Sequence, residues 1–149
     1  MTIARTRRYP NYSVQLSTRD LVRFGQLYLQ RGRYGGAQLL SEEWIDRSTR
    51  PISRTPHAPG LLGTFGYCWW VAGPAADLPD TIIPAGTYSA AGFGGSFLTV
   101  LPALNAVVAI MVDTYAPPAP PSSAPMNPST LLAEGDYVTF LRQVITTLG

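Results

Sequence analysis

The segment over residues 88–102, YSAAGFGGSFLTVLP, constrains the fold more than any other part of the sequence, because three glycines run directly into an apolar strand pattern. Glycine has no Cβ, so a ligand or another strand can approach the backbone closely at Gly92, Gly94 and Gly95. The apolar residues that follow supply a pleated surface that can pack against a core. The segment therefore predicts a strand that faces a cleft.

Composition predicts one globular domain and excludes several kinds of chemistry. The chain has 149 residues, of which 46% are hydrophobic, and this is enough for a core of ordinary size. All 11 basic residues are arginine, so the sequence contains no lysine. Chemistry that needs a lysine amine as a base, a Schiff-base partner or a phosphate ligand is therefore excluded for these residues.

The charge distribution does not predict a nucleic-acid partner. Residues 1–54 carry ten arginines and four acidic residues, a balance of +6, whereas the remainder carries one arginine and five acidic residues, a balance of −4. The arginines are scattered and lack interleaved aromatic residues on which bases could stack. They predict a solvated surface rather than a nucleic-acid interface.

The single cysteine and histidine argue against a metal site, and the lack of a long apolar run argues against a membrane location. Cys68 and His57, the single residues of their types, cannot form a disulfide and fall short of the usual ligand number of a zinc site. We therefore expect no metal and no other cofactor. The amino end is basic but no apolar run follows it, so we expect neither a signal peptide nor a membrane span, and a cytoplasmic location for the chain as written.

The first third of the chain predicts two helices. Residues 1–16 show no periodicity and predict a tail or a first strand that packs against another segment. Ser17 begins a helix as its N-cap, with Asp20 reaching back to the Ser17 amide, and the apolar residues then recur at helical spacing. Ser41 repeats the start signal, and Pro51 ends this second helix near residue 50. The two helices thus occupy residues 17–50, and an exposed loop is expected over 51–64.

The rest of the chain predicts a sheet, a connector and a closing helix. Residues 65–113 are rich in β-favouring residues and predict three or four antiparallel strands, with a turn over 102–105 joining the last two. Residues 116–128 contain six prolines and predict a stiff polyproline-like loop. An apolar stripe over 129–148 predicts a helix across the sheet. The fold class is α+β, a single domain with an antiparallel sheet and flanking helices.

The residues alone supply no convincing nucleophile. Ser96 lies in a strand pattern, without the final glycine and following helix of a nucleophile elbow. Cys68 lies in the apolar run 65–71, which predicts one strand and a buried, inert thiol. His57 lies in a proline-rich loop and is expected to be exposed. The glycines over 92–97 lack both the third glycine and the following helix of a dinucleotide fingerprint.

Taken together, these segments resemble the serine β-lactamase and penicillin-binding-protein-like hydrolases, in particular the class C β-lactamase-related group with its esterases and 6-aminohexanoate-dimer hydrolases. Residues 17–29, followed by GGAQLLS and Trp44, are similar to that family's helix, turn and helix. The FGYCWW segment resembles the strand before its active-site strand, and 89–96 resembles the active-site strand. The resemblance covers essentially the whole chain and is specific as an ensemble.

The same resemblance identifies missing catalytic groups. Family members attack an amide or ester with the serine of a Ser-x-x-Lys motif, which a chain without lysine cannot contain. Tyr9-Pro10-Asn11 matches the Tyr-x-Asn motif by letter, but it lies too close to the first helix for that role. Where the family has a Lys/His-x-Gly motif, this sequence has Ala90-Ala91-Gly92. The resemblance thus implies the carboxy-terminal part of such a hydrolase, inactive by itself, with an incomplete fold.

The resemblance also implies a substrate-binding strand, and no catalytic residue within it. Its members are Ala90, Ala91, Gly92, Phe93 and Gly94, and the amide of Phe93 corresponds to one oxyanion donor. The substrate class of the intact family is a small-molecule amide or ester, hydrolysed through an acyl-enzyme. The glycines have an equally simple alternative explanation, which is that they only allow strands to pack closely.

Two hypotheses about the whole protein remain. The chain is either a segment of a longer hydrolase, or a complete binding or interaction module that keeps the fold without the chemistry. In the first case the missing amino-terminal segment would cover apolar sheet surface, so we expect self-association or pairing with that segment.

Overall fold

The computed structural model describes residues 2–5, 12–54, 64–72, 82–92, 95–112 and 134–149. Three α-helices lie in these ranges: α1 Thr18–Leu29, α2 Glu42–Ser48 and α3 Glu134–Leu148. Ten strands accompany them: β1 Thr2–Arg5, β2 Tyr12–Gln15, β3 Arg33–Tyr34, β4 Ala37–Gln38, β5 Ser53–Arg54, β6 Thr64–Phe65, β7 Trp70–Val71, β8 Tyr88–Gly92, β9 Ser96–Leu101 and β10 Ala106–Ile110. Within the described ranges, no helix is both long enough and apolar enough to cross a membrane.

Helix α1 begins at the predicted cap, Ser17. The Ser17 Oγ accepts from the Asp20 amide at 3.1 Å, as a capping residue should. The Asp20 carboxylate accepts from the Ser17 hydroxyl at 2.7 Å and from Arg23 at 2.8 Å. These two hydrogen bonds, with a smaller contribution from the Ser17 backbone, hold the pKa of the Asp20 carboxyl below its usual value. The carboxylate therefore reaches back to the cap residue.

The end of α1 is a Schellman motif in which Arg31 and Gly32 adopt positive φ angles of 53° and 85°. The Gly32 amide donates to Leu27 O at 2.7 Å, and the Arg31 amide donates to Tyr28 O at 3.0 Å. A Cβ at position 32 would lie 2.1 Å from the carbonyl oxygen of Leu40. Glycine is therefore required here by both conformation and space, and it ends the helix as predicted.

Helix α2 follows the same rules. The Ser41 Oγ accepts from the Trp44 amide at 3.1 Å. Glu42 and Glu43 lie in the first turn, where their negative charges interact favourably with the positive end of the helix dipole. The C-cap is Thr49, two residues before Pro51. Both helix starts predicted from serine caps are confirmed.

Strands β5 to β10 form one antiparallel sheet in the order β10-β9-β8-β7-β6-β5. Every neighbour in the sheet is also a neighbour in sequence, so the strands form a meander. The prediction of three or four strands is too low, because β5, β6 and β7 have only two residues each. The turn between β9 and β10 is a 3₁₀-helix, Pro102–Leu104, closed by Asn105 at a φ of 49°, where a turn was predicted.

The expectation that residues 65–71 form one strand with a buried thiol is wrong. A turn over 66–69 separates β6 from β7, and Cys68 is exposed at its tip with a φ of 63°. The cause is the end of α2: the Tyr67 amide donates to Ser48 O at 2.9 Å, and a Cβ on Gly66 would lie 2.5 Å from that oxygen. This contact holds the backbone against α2 rather than in a continuous strand.

Helices cover both faces of the sheet. Tyr28 of α1 and Ile45 of α2 pack on one face with side chains from the sheet and its β6–β7 turn, namely Trp69, Val71, Tyr88, Leu98 and Val100. Tyr137, Leu141 and Ile145 of α3 pack on the other face with Ala72, Ile83, Phe97 and Leu101. The α+β class and the carboxy-terminal helix on the sheet are therefore confirmed, although α3 begins at Glu134 and residues 129–133 of the predicted helix lie outside the described ranges.

Two small hairpins complete the described structure. Strands β1 and β2 pair antiparallel, with Thr2 opposite Gln15, in the region where a tail or a first strand was predicted. Strands β3 and β4 pair around Gly35 and Gly36, whose φ angles of 58° and 84° suit a tight hairpin turn. The predicted turn in this segment is confirmed.

Candidate functional site

Strand β8 has an open edge at its carboxyl end. It pairs with β9 along all five residues, from Tyr88 opposite Val100 to Gly92 opposite Ser96. On its other side it pairs with β7 only at Tyr88 and Ser89. No described strand therefore pairs with Ala90, Ala91 or Gly92 on the β7 side.

The alternation of an antiparallel ladder shows which backbone groups face this opening. The Ala72 amide donates to Thr87 O at 2.7 Å across the β7 side of β8. Successive residues of a strand direct their amide and carbonyl groups to opposite neighbours, so Ser89 and Ala91 face the same side as Thr87. Ser89 is opposite Trp70, but no described strand reaches Ala91. The N–H and C=O of Ala91 thus lie on the open edge.

Burial falls steadily along β8 toward this opening. Tyr88 and Ser89 are buried, Ala90 is half-buried, and Ala91 and Gly92 are exposed. The following turn is closed by Gly95, which has a φ of 94° and whose amide is 3.4 Å from Gly92 O. The strand therefore runs from the core to an accessible end.

The fold itself does not require glycine at position 92. Among the described residues, an ideal Cβ built on Gly92 would meet only Ser96, at 3.5 Å, which is ordinary van der Waals contact. The φ angle of Gly92 is also outside the positive region that favours glycine. The explanation that this glycine only allows strands to pack closely is therefore not supported at this position.

A chain of buried hydroxyl groups connects β8 to helix α3. The Ser89 Oγ lies 2.6 Å from the Thr99 Oγ1, and the Thr99 Oγ1 is hydrogen-bonded to the Tyr137 hydroxyl of α3. All three residues are fully buried. The Tyr137 ring stacks on Phe97 with ring centres 4.1 Å apart, and burial raises the pKa of Tyr137 to about 12. Helix α3 is thus linked through Thr99 to Ser89, the residue that precedes Ala90.

The sequence did not predict this hydroxyl chain. Thr99 and Tyr137 are 38 residues apart, so no local pattern joins them. The sequence contains only part of the signal: Ser89 and Thr99 are polar residues within otherwise apolar strands. Their position directly opposite each other becomes visible only in the register of the sheet.

The structure brings together three of the five predicted substrate-binding residues, Ala90, Ala91 and Gly92, on one strand end. Phe93 and Gly94 lie outside the described residues, as do His57 and the Tyr9-Pro10-Asn11 segment. Ser96 is half-buried on β9, opposite Gly92. In the described ranges, no group of three or more His, Cys, Asp or Glu side chains could hold a metal ion.

A second feature, which the sequence did not predict, is a charged depression of about 410 Å³ beside α2. The Arg31 guanidinium donates to both Asp46 carboxylate oxygens at 2.9 Å and to Glu42 at 3.0 Å. The Arg31 hydrogen bonds hold the pKa of the Asp46 carboxyl below its usual value. These groups are exposed and Arg31 pairs with Glu42 and Asp46, so the depression joins the end of α1 to α2 through surface ion pairs.

Comparison with known proteins gives one family. A family model described as Beta-lactamase matches residues 3–128, which is most of the chain and includes all of β8 and β9. A search of curated proteins found no match. The matched range contains both the sheet and the two helices that the resemblance identified. The chain belongs to the Beta-lactamase family.

Proposed function

We propose that this chain is the carboxy-terminal part of a β-lactamase-related serine hydrolase of the class C-like group, and that these residues alone are catalytically inactive. The intact enzyme would cleave an amide or ester through an acyl-enzyme intermediate. The 149 residues contain no lysine and hence no Ser-x-x-Lys motif. Nucleophile and base act as a unit, so a chain that lacks both retains at most binding.

The observation that carries the proposal is the open edge of β8. An acyl group lying along Ala90, Ala91 and Gly92 could hydrogen-bond, in the manner of an added strand, to the N–H and C=O of Ala91, with which no described strand pairs on this side. As in the family, the Phe93 amide would supply one oxyanion donor. Such a donor contributes about 3 kcal/mol to transition-state stabilisation in hydrolases generally. The donor on the nucleophile itself would come from residues outside this sequence.

The missing Cβ at Gly92 supports a ligand at this edge. The described part of the chain leaves room for an alanine there, since Ser96 is the only described residue within 4 Å of the ideal Cβ. Alanine would also be the better strand residue, because glycine in a strand loses more conformational entropy on folding. A close approach by a ligand explains why glycine occupies the position.

Amide chemical shifts test the binding role. We expect a millimolar β-lactam or a small ester to shift the amide resonances of Ala91 and Gly92. The variant Gly92→Ala should fold normally and bind at least about fivefold more weakly, because its methyl group occupies the space of the ligand. Gly135→Ala, on the exposed start of α3, is the matched control and should bind like the unmodified chain. Unchanged shifts at β8 under saturating ligand would contradict the assignment.

The alternative hypothesis, a complete binding or interaction module, explains the missing nucleophile motif equally well. The coding DNA upstream of Met1 separates the two hypotheses. An in-frame Ser-x-x-Lys sequence supports the hydrolase, whereas a stop codon followed by a start signal supports the module. Neither hypothesis allows this chain to hydrolyse a chromogenic β-lactam or a p-nitrophenyl ester faster than buffer does.

A further inference from the structure

Helix α3 contacts the sheet at the two β9 residues that are opposite Ser89 and Ala91. In the register, Thr99 is opposite Ser89 and Phe97 is opposite Ala91. The Tyr137 hydroxyl is hydrogen-bonded to Thr99. The Tyr137 ring stacks on Phe97, with ring centres 4.1 Å apart and an angle of 4° between the ring planes. One side chain of α3 therefore contacts the β9 partners of both residues.

The hydroxyl chain joins β8 to β9 at a pair whose backbones do not bond to each other. Ser89 directs its N–H and C=O to β7, as Thr87 does two residues earlier. The polar link between Ser89 and Thr99 is therefore the contact of 2.6 Å between their hydroxyl oxygens. Ser89 is also the last β8 residue that has a described partner strand on both sides. The hydroxyl chain thus ends where β8 loses its pairing with β7.

Burial makes this link rigid. Ser89, Thr99 and Tyr137 are each 0% exposed, so water does not compete for their hydroxyl groups. A buried hydroxyl that loses its partner costs stability, so the three groups hold one another in one arrangement. Only Ala90 separates Ser89 from Ala91 along the strand. Fixing Ser89 and packing a ring on the partner of Ala91 therefore restricts the direction of the Ala91 N–H and C=O.

We propose that Tyr137 is a positioning residue for the candidate binding strand, which fixes the Ala91 N–H and C=O on the open edge through Thr99 and Phe97. Tyr137 is fully buried and acts through these neighbours rather than by contact with a ligand. The consequence for binding rests on the proposed function, in which the Ala91 groups hydrogen-bond to an acyl group. The restriction of Ala91 itself is a property of the free chain and requires no ligand.

NMR relaxation of the amides in the free 149-residue chain tests this restriction. The Ala91 order parameter should be about 0.85 in the unmodified chain, as in rigid backbone. Tyr137→Phe keeps the ring, removes the hydroxyl and should lower this value toward about 0.6. Ile145→Val is the control, because it shortens a buried side chain of the same cluster outside the hydroxyl chain and should leave Ala91 unchanged. An equal Ala91 order parameter in the unmodified and Tyr137→Phe chains would overturn the proposal.

Two substitutions of Thr99 give a test that does not depend on the folding of Tyr137→Phe. Thr99→Ser keeps the hydroxyl and should leave the Ala91 order parameter unchanged. Thr99→Val interrupts the chain at its middle and should lower the order parameter as Tyr137→Phe does. The double variant should show no further decrease, because both substitutions remove the same link. An unchanged value in Thr99→Val, or effects that add in the double variant, would overturn the proposal.

Ligand titration separates this proposal from the proposed function. With a millimolar β-lactam, Tyr137→Phe should weaken binding at β8 at least about threefold, whereas Ile145→Val should bind like the unmodified chain. Equal binding by the unmodified and Tyr137→Phe chains would overturn the proposal. A β-lactam that shifts no β8 amide of the unmodified chain would contradict the proposed function, and the Ala91 order parameters would still decide the role of Tyr137.

Discussion

At the scale of single residues, one buried hydroxyl group directly before strand β8 lacks a hydrogen-bond partner among the described residues. Thr87 is fully buried, and its Oγ1 forms no hydrogen bond with any described group. A hydroxyl buried without a partner costs about 1–3 kcal/mol, and valine has nearly the same shape. Thr87→Val should therefore raise the free energy of unfolding by about 1 kcal/mol, measured by urea denaturation.

Thr99→Val is the matched control for this prediction. The Thr99 Oγ1 bonds to both Ser89 and Tyr137, so the same substitution would leave two buried hydroxyl groups without their partner. We expect a loss of about 1–3 kcal/mol. Equal effects of the two substitutions would show that the hydrogen bonds of these hydroxyl groups do not determine how Thr87 and Thr99 contribute to stability.

At the scale of elements, α1 docks on the sheet through a glycine. A Cβ on Gly25 would lie 2.5 Å from the Val107 Cγ1 and 2.9 Å from the Leu98 Cδ1. Gly25→Ala should lower the free energy of unfolding by about 1 kcal/mol, because overpacking of about 1–3 kcal/mol exceeds the gain in helix propensity. Gly135→Ala has open space and should stabilise α3 by about 0.5–1 kcal/mol. Denaturant midpoints of the two variants should thus move in opposite directions.

The attachment of α3 to the sheet gives a pH dependence. Burial raises the pKa of Tyr137 from 10.0 to about 12, so the unfolded chain loses this proton first as the pH rises. Stability from this group is complete below about pH 10 and is lost between pH 10 and 12, by about 2–3 kcal/mol. Unfolding by urea at pH 8 and pH 11 should show about half of this loss, because pH 11 lies midway between the two pKa values, and Tyr137→Phe should show a smaller one. An equal loss in both proteins would assign the effect to other groups.

Elements set by local signals were predicted well from the sequence. The starts of α1 and α2 depend on serine caps a few residues from the groups they satisfy, and β9 and β10 depend on apolar runs with a turn between them. The turn at 66–69 depends on a carbonyl of Ser48, eighteen or more residues earlier, and no local pattern contains it. The same reason explains why the exposed Cys68 and the hydroxyl chain were not predicted.

At the scale of the whole molecule, the sequence predicted which strand carries the candidate site but did not predict the unpaired edge of that strand. The glycine-rich segment and the family resemblance placed Ala90, Ala91 and Gly92 on one strand. The open edge arises because β7 is shorter than β8, and the length of a two-residue strand is set by the turn that precedes it. Pairing lengths of this kind follow from tertiary contacts and not from residue patterns.

The central claim is that this chain supplies a binding strand of a serine hydrolase without its nucleophile. Intact-mass spectrometry after incubation with an excess of a β-lactam tests it most directly, because an acyl-enzyme retains the mass of the opened β-lactam. We predict an unchanged mass of the chain under conditions where β8 amide shifts report binding. A stable adduct that maps to any serine of this chain would contradict the account.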